Sequence, residues 1–105
     1  MQDASSEKID VFCHILPKKF KEALFKKAKP CYYLDADNGT PAIFDLDLRF
    51  RVMDQYEGLR QVLTIGAPPP EYALGKNDAI DLAKLANDEM AELLVKYPDR
   101  FVAAT

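Results

Sequence analysis

The sequence is poor in the side chains from which metal centres and disulfide frameworks are built. It contains one histidine, His14, and two cysteines, Cys13 and Cys31. Catalytic zinc is normally held by three protein ligands, so a lone imidazole excludes a self-contained histidine site. The cysteines show neither C-x-x-C spacing nor the density of a secreted disulfide scaffold, and reduced thiols are expected. No apolar run approaches the ~20 residues that cross a bilayer, and the N-terminus lacks a basic-then-apolar signal with a small-residue cleavage site. A cytoplasmic protein without a membrane partner is the expectation.

Positive charge is also in short supply. Fourteen lysines and arginines face 17 acidic residues, a net charge of -3, and the basic residues do not gather into an arm with interleaved aromatics. This excludes nucleic acid as an expected partner. The dense basic stretch Lys18 to Lys29 alternates lysines with Phe20, Leu24, Phe25 and Ala28, the pattern of the wet side of an amphipathic helix. A helix lying on a membrane surface is the alternative for that stretch.

What is present is the composition of a globular domain, 49% hydrophobic and 30% charged over 105 residues, with apolar positions spaced periodically. One domain is expected, after a loose polar lead-in over 1–7. Ile9 to Leu16 is a short apolar strand closed by Pro17. Phe20, Leu24 and Ala28 recur every four residues and predict a helix to about Lys29, where Pro30 ends it. Cys31 to Phe44 has no helical period and, with Asp35, Asp37, Asn38, Gly39 and Pro41, is expected as a turn-rich loop. Leu46, Phe50, Met53 and Tyr56 predict a short amphipathic helix, followed by a strand over Leu59 to Ile65. Gly66 to Gly75, with three consecutive prolines, is expected as a loop. Asn77 is the expected N-cap of a helix whose inner face is Leu82, Ala86, Met90, Leu93 and Tyr97. Pro98 stops it, and Phe101 to Thr105 is a third strand.

Alternation of short apolar strands with helices implies a parallel sheet. Three such strands leave two open edges, so the sheet is expected to be completed by more of the same polypeptide or by another one, and the isolated chain to self-associate.

Three segments resemble a known family. Lys8-Ile9-Asp10-Val11-Phe12-Cys13-His14-Ile15-Leu16-Pro17 is similar to the I-D-x-H-x-H opening strand of the amidohydrolase-related family typified by aminocarboxymuconate-semialdehyde decarboxylase. Asp47 to Asp54 and Gln61-Val62-Leu63-Thr64 resemble its R-x-x-x-M-D helix and Q-V-L-S strand. Asn87 to Leu93, then Tyr97-Pro98-Asp99-Arg100-Phe101, resemble its N-D-x-x-A-E-L and Y-P-D-R-F helix ending. The resemblance implies that the chain holds the first three strand-helix units of a TIM-type (β/α)8 barrel. It further implies a divalent metal, zinc by first expectation, at the C-terminal mouth, and decarboxylation, hydration or hydrolysis of a small aromatic or cyclic carboxylate. Most of the metal ligands would come from the remainder of the barrel or a second subunit, in an oligomer.

One departure from the pattern is specific. Phe12 stands where the first metal-binding histidine belongs, leaving His14 as the metal-ligand candidate. Strict alternation along the strand places Asp10, Phe12 and His14 on one face, with Ile9, Val11 and Cys13 on the other. Phe12 and Thr64 are then expected to line the pocket beside His14. His14 admits two readings, a surviving metal ligand or a histidine without metal. No catalytic residue is assigned.

Other candidates carry less. Asp35 to Thr40 has the composition of a calcium loop, but its glycine is one position early and Leu46 replaces the closing glutamate. Asp45 and Asp47 suit a helix start. Arg49 and Arg51 could pair with a substrate carboxylate, but their helix predicts solvent-facing roles. A non-catalytic interaction or scaffold subunit derived from such a barrel is the rival functional expectation.

Overall fold

The computed structural model describes residues 7–66 and 68–105. Its elements are β1 (Lys8–Ile15), α1 (Lys18–Lys27), α2 (Tyr32–Asn38), a 3-10 turn (Pro41–Ile43), α3 (Leu46–Met53), β2 (Leu59–Ile65), α4 (Pro70–Ala73), α5 (Lys76–Lys96) and β3 (Phe101–Ala104). Among the described residues the strands form one parallel sheet in the order β1-β2-β3. That is the arrangement that strand-helix alternation dictates. No described helix is long and apolar enough to cross a membrane.

The cores follow from the apolar stripes. Ile15, Leu63 and Phe101, one from each strand, pack with Met90 of α5. Leu16, Phe20, Leu24, Leu34, Ala73, Leu82 and Ala86 form a second cluster where α1 lies against the first half of α5. Helix α5 therefore covers the sheet with its C-terminal half and α1 with its N-terminal half. Leu24 belongs to this second cluster, against which Ile65 of β2 also packs, and Leu85 is only half-buried.

Several local expectations are corrected. Cys31 to Phe44 is not a structureless loop: Tyr32–Asn38 is helical and Pro41–Ile43 forms a 3-10 turn. A helix of seven residues buries only Leu34 as an apolar anchor, too little to leave a period. Thr40 Oγ1 donates to Ala36 O at 2.8 Å and helps close its end. The Asp35 to Thr40 stretch is thus a helix C-terminus. Pro70–Ala73 adds a short helix inside the second expected loop. Helix α5 starts one residue before Asn77, with Gly75 as its N-cap, and the Ala79 N–H donates to Gly75 O at 2.8 Å. Asp45 does cap α3, accepting from Leu48 N at 3.1 Å.

Strand β1 breaks the strict alternation expected of it. Asp10 pairs with Gln61 and Cys13 with Leu63, so β1 advances three residues while β2 advances two. This is a β-bulge. Asp10 Oδ1 accepts from the Phe12 N–H at 3.0 Å, which draws that donor out of the ladder. The extra residue moves Asp10 to the side of Gln61, Leu63 and Cys13, away from Phe12 and His14.

The outer edge of β1 is also not fully open. Ile15 O accepts from Gly66 N at 3.1 Å, so Ile15 bonds inward to β2. In a parallel ladder adjacent residues bond alternately left and right, which points His14 O and Leu16 N outward. Arg49 Nη1 donates to His14 O at 2.9 Å and Leu16 N donates to Ile43 O at 2.8 Å. The C-terminal half of this edge is closed by the chain's own 3-10 turn and α3.

Candidate functional site

The C-terminal ends of β1 and β2 bring the sequence candidates together. His14 pairs with Thr64 across the two strands, and side chains in register on parallel strands lie on the same face. Cys13, Ile15 and Leu63 are buried toward the helices, so His14 and Thr64 occupy the opposite face. Phe12 joins them, its ring 4.8 Å from the His14 ring in an edge-on arrangement. Phe12 is 74% exposed, and in this chain it shields one side of the imidazole without enclosing a pocket.

Behind this face sits Arg49, whose expected solvent-facing role is overturned. It is 6% exposed. Its Nε donates to Gln61 Oε1 at 2.8 Å and its Nη1 to His14 O at 2.9 Å, with Ala42 O at 3.5 Å. Burial lowers its pKa from the ordinary arginine value, while Cys13 and Asp10 nearby oppose that shift. Arg51, two residues on, is exposed as expected. Arg49 lies alongside a groove formed with Asp10, Thr40, Val52, Tyr56 and Gln61.

Cys13 is buried, and burial together with the Asp10 hydrogen bond and charge pushes its thiol up to about 11. It faces the helices and stays a protonated thiol at neutral pH, a poor ligand form. Asp10 is held below the usual carboxylate range by the Phe12 N–H and the Cys13 hydrogen bond.

Asp37 of α2 figured in the sequence as a turn former and as part of the calcium-loop-like stretch Asp35 to Thr40. It is buried, and its Oδ2 has no hydrogen-bond partner. Burial raises its pKa, and the charges of His14 and Lys21 pull it partly back. A raised carboxyl pKa means that the folded state binds the proton more tightly than the unfolded chain. Stability then falls as pH rises through the carboxylate range, and stays lower above the raised value. Asp37→Asn is expected to stabilise the fold by about 1 kcal/mol at pH 7. The gain should vanish at acid pH, where Asp37 is protonated; urea melts at the two pH values check it.

Among the described residues no group of three or more His, Cys, Asp and Glu side chains is placed to hold a metal ion. His14 has Phe12 beside it where a second donor would be needed. The donors among the described residues do not fit a complete metal centre.

No family-wide sequence profile matches the chain. Among curated proteins it is similar to the gamma-resorcylate decarboxylase of Rhodococcus jostii (strain RHA1), 38% identical over 55 residues, or 52% of this chain. The gamma-resorcylate decarboxylases of Rhizobium sp. (strain MTP-10005) and Rhizobium radiobacter are 37% and 35% identical over 57 residues, 54% of this chain. The matched segment spans 17% of the length of each of these relatives. The resemblance to amidohydrolase-related decarboxylases therefore holds over about half of this chain.

Proposed function

We propose, with that similarity as premise, that the chain supplies the first three strand-helix units of a TIM-type (β/α)8 barrel in an amidohydrolase-type decarboxylase of small aromatic carboxylates. The observation that carries this reading is the placement of His14. It stands at the C-terminal end of β1, in register with Thr64, on the face turned away from the helices. In barrels of this type reacting groups sit where strands end.

In this reading His14 contributes one ligand to a divalent metal, zinc in the first instance. The remaining ligands come from the rest of the barrel or a second subunit, because this chain has one imidazole and lacks a three-donor cluster among its described residues. Such a metal would act as a Lewis acid on a substrate oxygen. A cytoplasmic, oligomeric assembly belongs to the same proposal.

The test is metal content and gamma-resorcylate decarboxylation in the native assembly. His14→Ala should remove the metal and the activity while the assembly stays intact. Phe12→His should tighten metal binding by roughly tenfold or more, because it adds a donor beside His14. A metal-free wild-type assembly, or one indifferent to His14→Ala, would defeat the reading. One observation favours the rival of a non-catalytic interaction subunit: an exposed phenyl ring occupies the position of the first metal histidine. That rival expects an intact, metal-free assembly.

A further inference from the structure

Arg49 is a buried guanidinium bonded to neutral oxygens: Gln61 Oε1 through Nε, and the carbonyl of His14 through Nη1. Withdrawing a guanidinium from water without a carboxylate to receive it is costly. The two bonds show what the cost maintains, because they fall on opposite sides of the β1 bulge. Gln61 is the partner of Asp10, before the bulge, and His14 lies after it. A single side chain thus ties the β2 residue opposite the first half of β1 to the β1 backbone beyond the bulge, and so fixes the register of the second half against β2.

That offset fixes which face each later residue occupies. Side chains alternate with a period of two, so a one-residue slip exchanges the faces of neighbours. If the bulge were ironed out, Cys13 would turn to the open face and His14 to the helices. We propose that Arg49 is a positioning residue that locks the register of β1 across its bulge, so that His14 and not Cys13 faces the open side of the sheet. The proposal goes beyond the decarboxylase reading and shares with it only the residue presented. Lysine cannot take the role, since an ammonium is a point donor and cannot span Gln61 and the His14 carbonyl as a rigid fork does.

The chain offers two chemical reporters for a test. With Cys31→Ser as background, Cys13 is the only thiol, and His14 is already the only imidazole. Iodoacetamide then reads Cys13 and diethyl pyrocarbonate reads His14 in the purified protein at one pH. In the parent, Cys13 is buried and protected while His14 is exposed and modified. In Arg49→Met, alkylation of Cys13 should rise by about tenfold or more and His14 modification should fall by a similar factor. Arg49→Lys should behave like Arg49→Met. General loosening of the fold would raise both rates, and a silent substitution would change neither; either result overturns the proposal. Should Arg49→Met lose its cooperative melt, the pair of rates is read on Gln61→Leu, which removes only the anchor before the bulge. The same reciprocal change, roughly threefold, is expected there, and its absence likewise overturns the proposal. Both rates are read on chelator-treated protein, where no metal can mask His14, and neither uses turnover, so failure here leaves the decarboxylase reading standing, and failure of that reading leaves this one.

Discussion

Phe101→Ala is expected to cost about 3–5 kcal/mol, the usual range for emptying a buried phenylalanine site. The ring is 2% exposed and packs with Ile15, Leu63 and Met90. It also lies 5.8 Å from the Phe50 ring and 6.3 Å from that of Tyr97. Together with the ladder to β2, it holds β3 to the cluster shared by α3, α5 and the other two strands. Against a total stability of about 5–15 kcal/mol for a domain, the loss should lower the melting temperature by roughly 15–30 °C. Calorimetry or a urea melt measures it. A cost under about 1 kcal/mol would mean that β3 is not docked on the sheet as described.

Glu89→Met is expected to cost about 2–3 kcal/mol for a different reason. Helix α1 begins at Pro17 without a side-chain cap of its own and with no acidic residue in its first turn. Its first N–H groups, which lack partners within the helix, are met from another element: Glu89 of α5, 8% exposed, accepts from Lys19 N at 3.0 Å and from Phe20 N. Methionine keeps the bulk and leaves both donors unpaired, which sets the cost. Glu89→Gln retains one acceptor oxygen and should lose about half as much. Hydrogen exchange separates this from general destabilisation: the amides of Lys19 and Phe20 should lose protection ahead of the α5 amides. Equal acceleration throughout the chain would refute the capping role.

The two family-like motifs that seemed separate along the chain meet in space. Asp54, from the R-x-x-x-M-D stretch, accepts from Arg100 of Y-P-D-R-F. The Arg100 guanidinium lies 4.6 Å from the centre of the Phe50 ring. The ion pair is largely exposed on the Asp54 side, so its energy is modest. Its value is in fixing α3 against the start of β3, a contact between residues 46 positions apart.

Residues with one strong local preference were legible from the sequence. The strands at Ile9, Val62 and Val102, the stripe Leu82, Ala86, Met90 on α5, the cap at Asp45 and the helix-ending Pro98 each follow from a period or a backbone restriction confined to a few neighbours. The parallel direction of the three strands follows as well, because a helix between successive strands returns the chain to the same end of the sheet. His14 could be placed beside Thr64 because both fall at strand ends in the same phase.

Tertiary structure decided the rest, and each case turns on a partner distant in sequence. Helix α2 exists because Leu34 finds the cluster around Phe20 and Leu82, not because seven residues favour helix by themselves. Arg49 sits on an amphipathic helix, where an arginine is normally solvated; only the His14 carbonyl 35 positions away and Gln61 12 positions away make burial tolerable. Glu89 interrupts an apolar stripe and shows no role until the N-terminus of α1, some 70 residues earlier, is brought against it. The bulge at Asp10 to Cys13 reverses a face assignment that alternation alone would make, through one side-chain hydrogen bond and the register of a neighbouring strand. Periodicity is a property of one segment, so the sequence by itself determined which segments are strands and helices. Hydrogen-bond satisfaction of buried polar groups is a property of the whole packing, and it decided which charged side chains the fold would enclose.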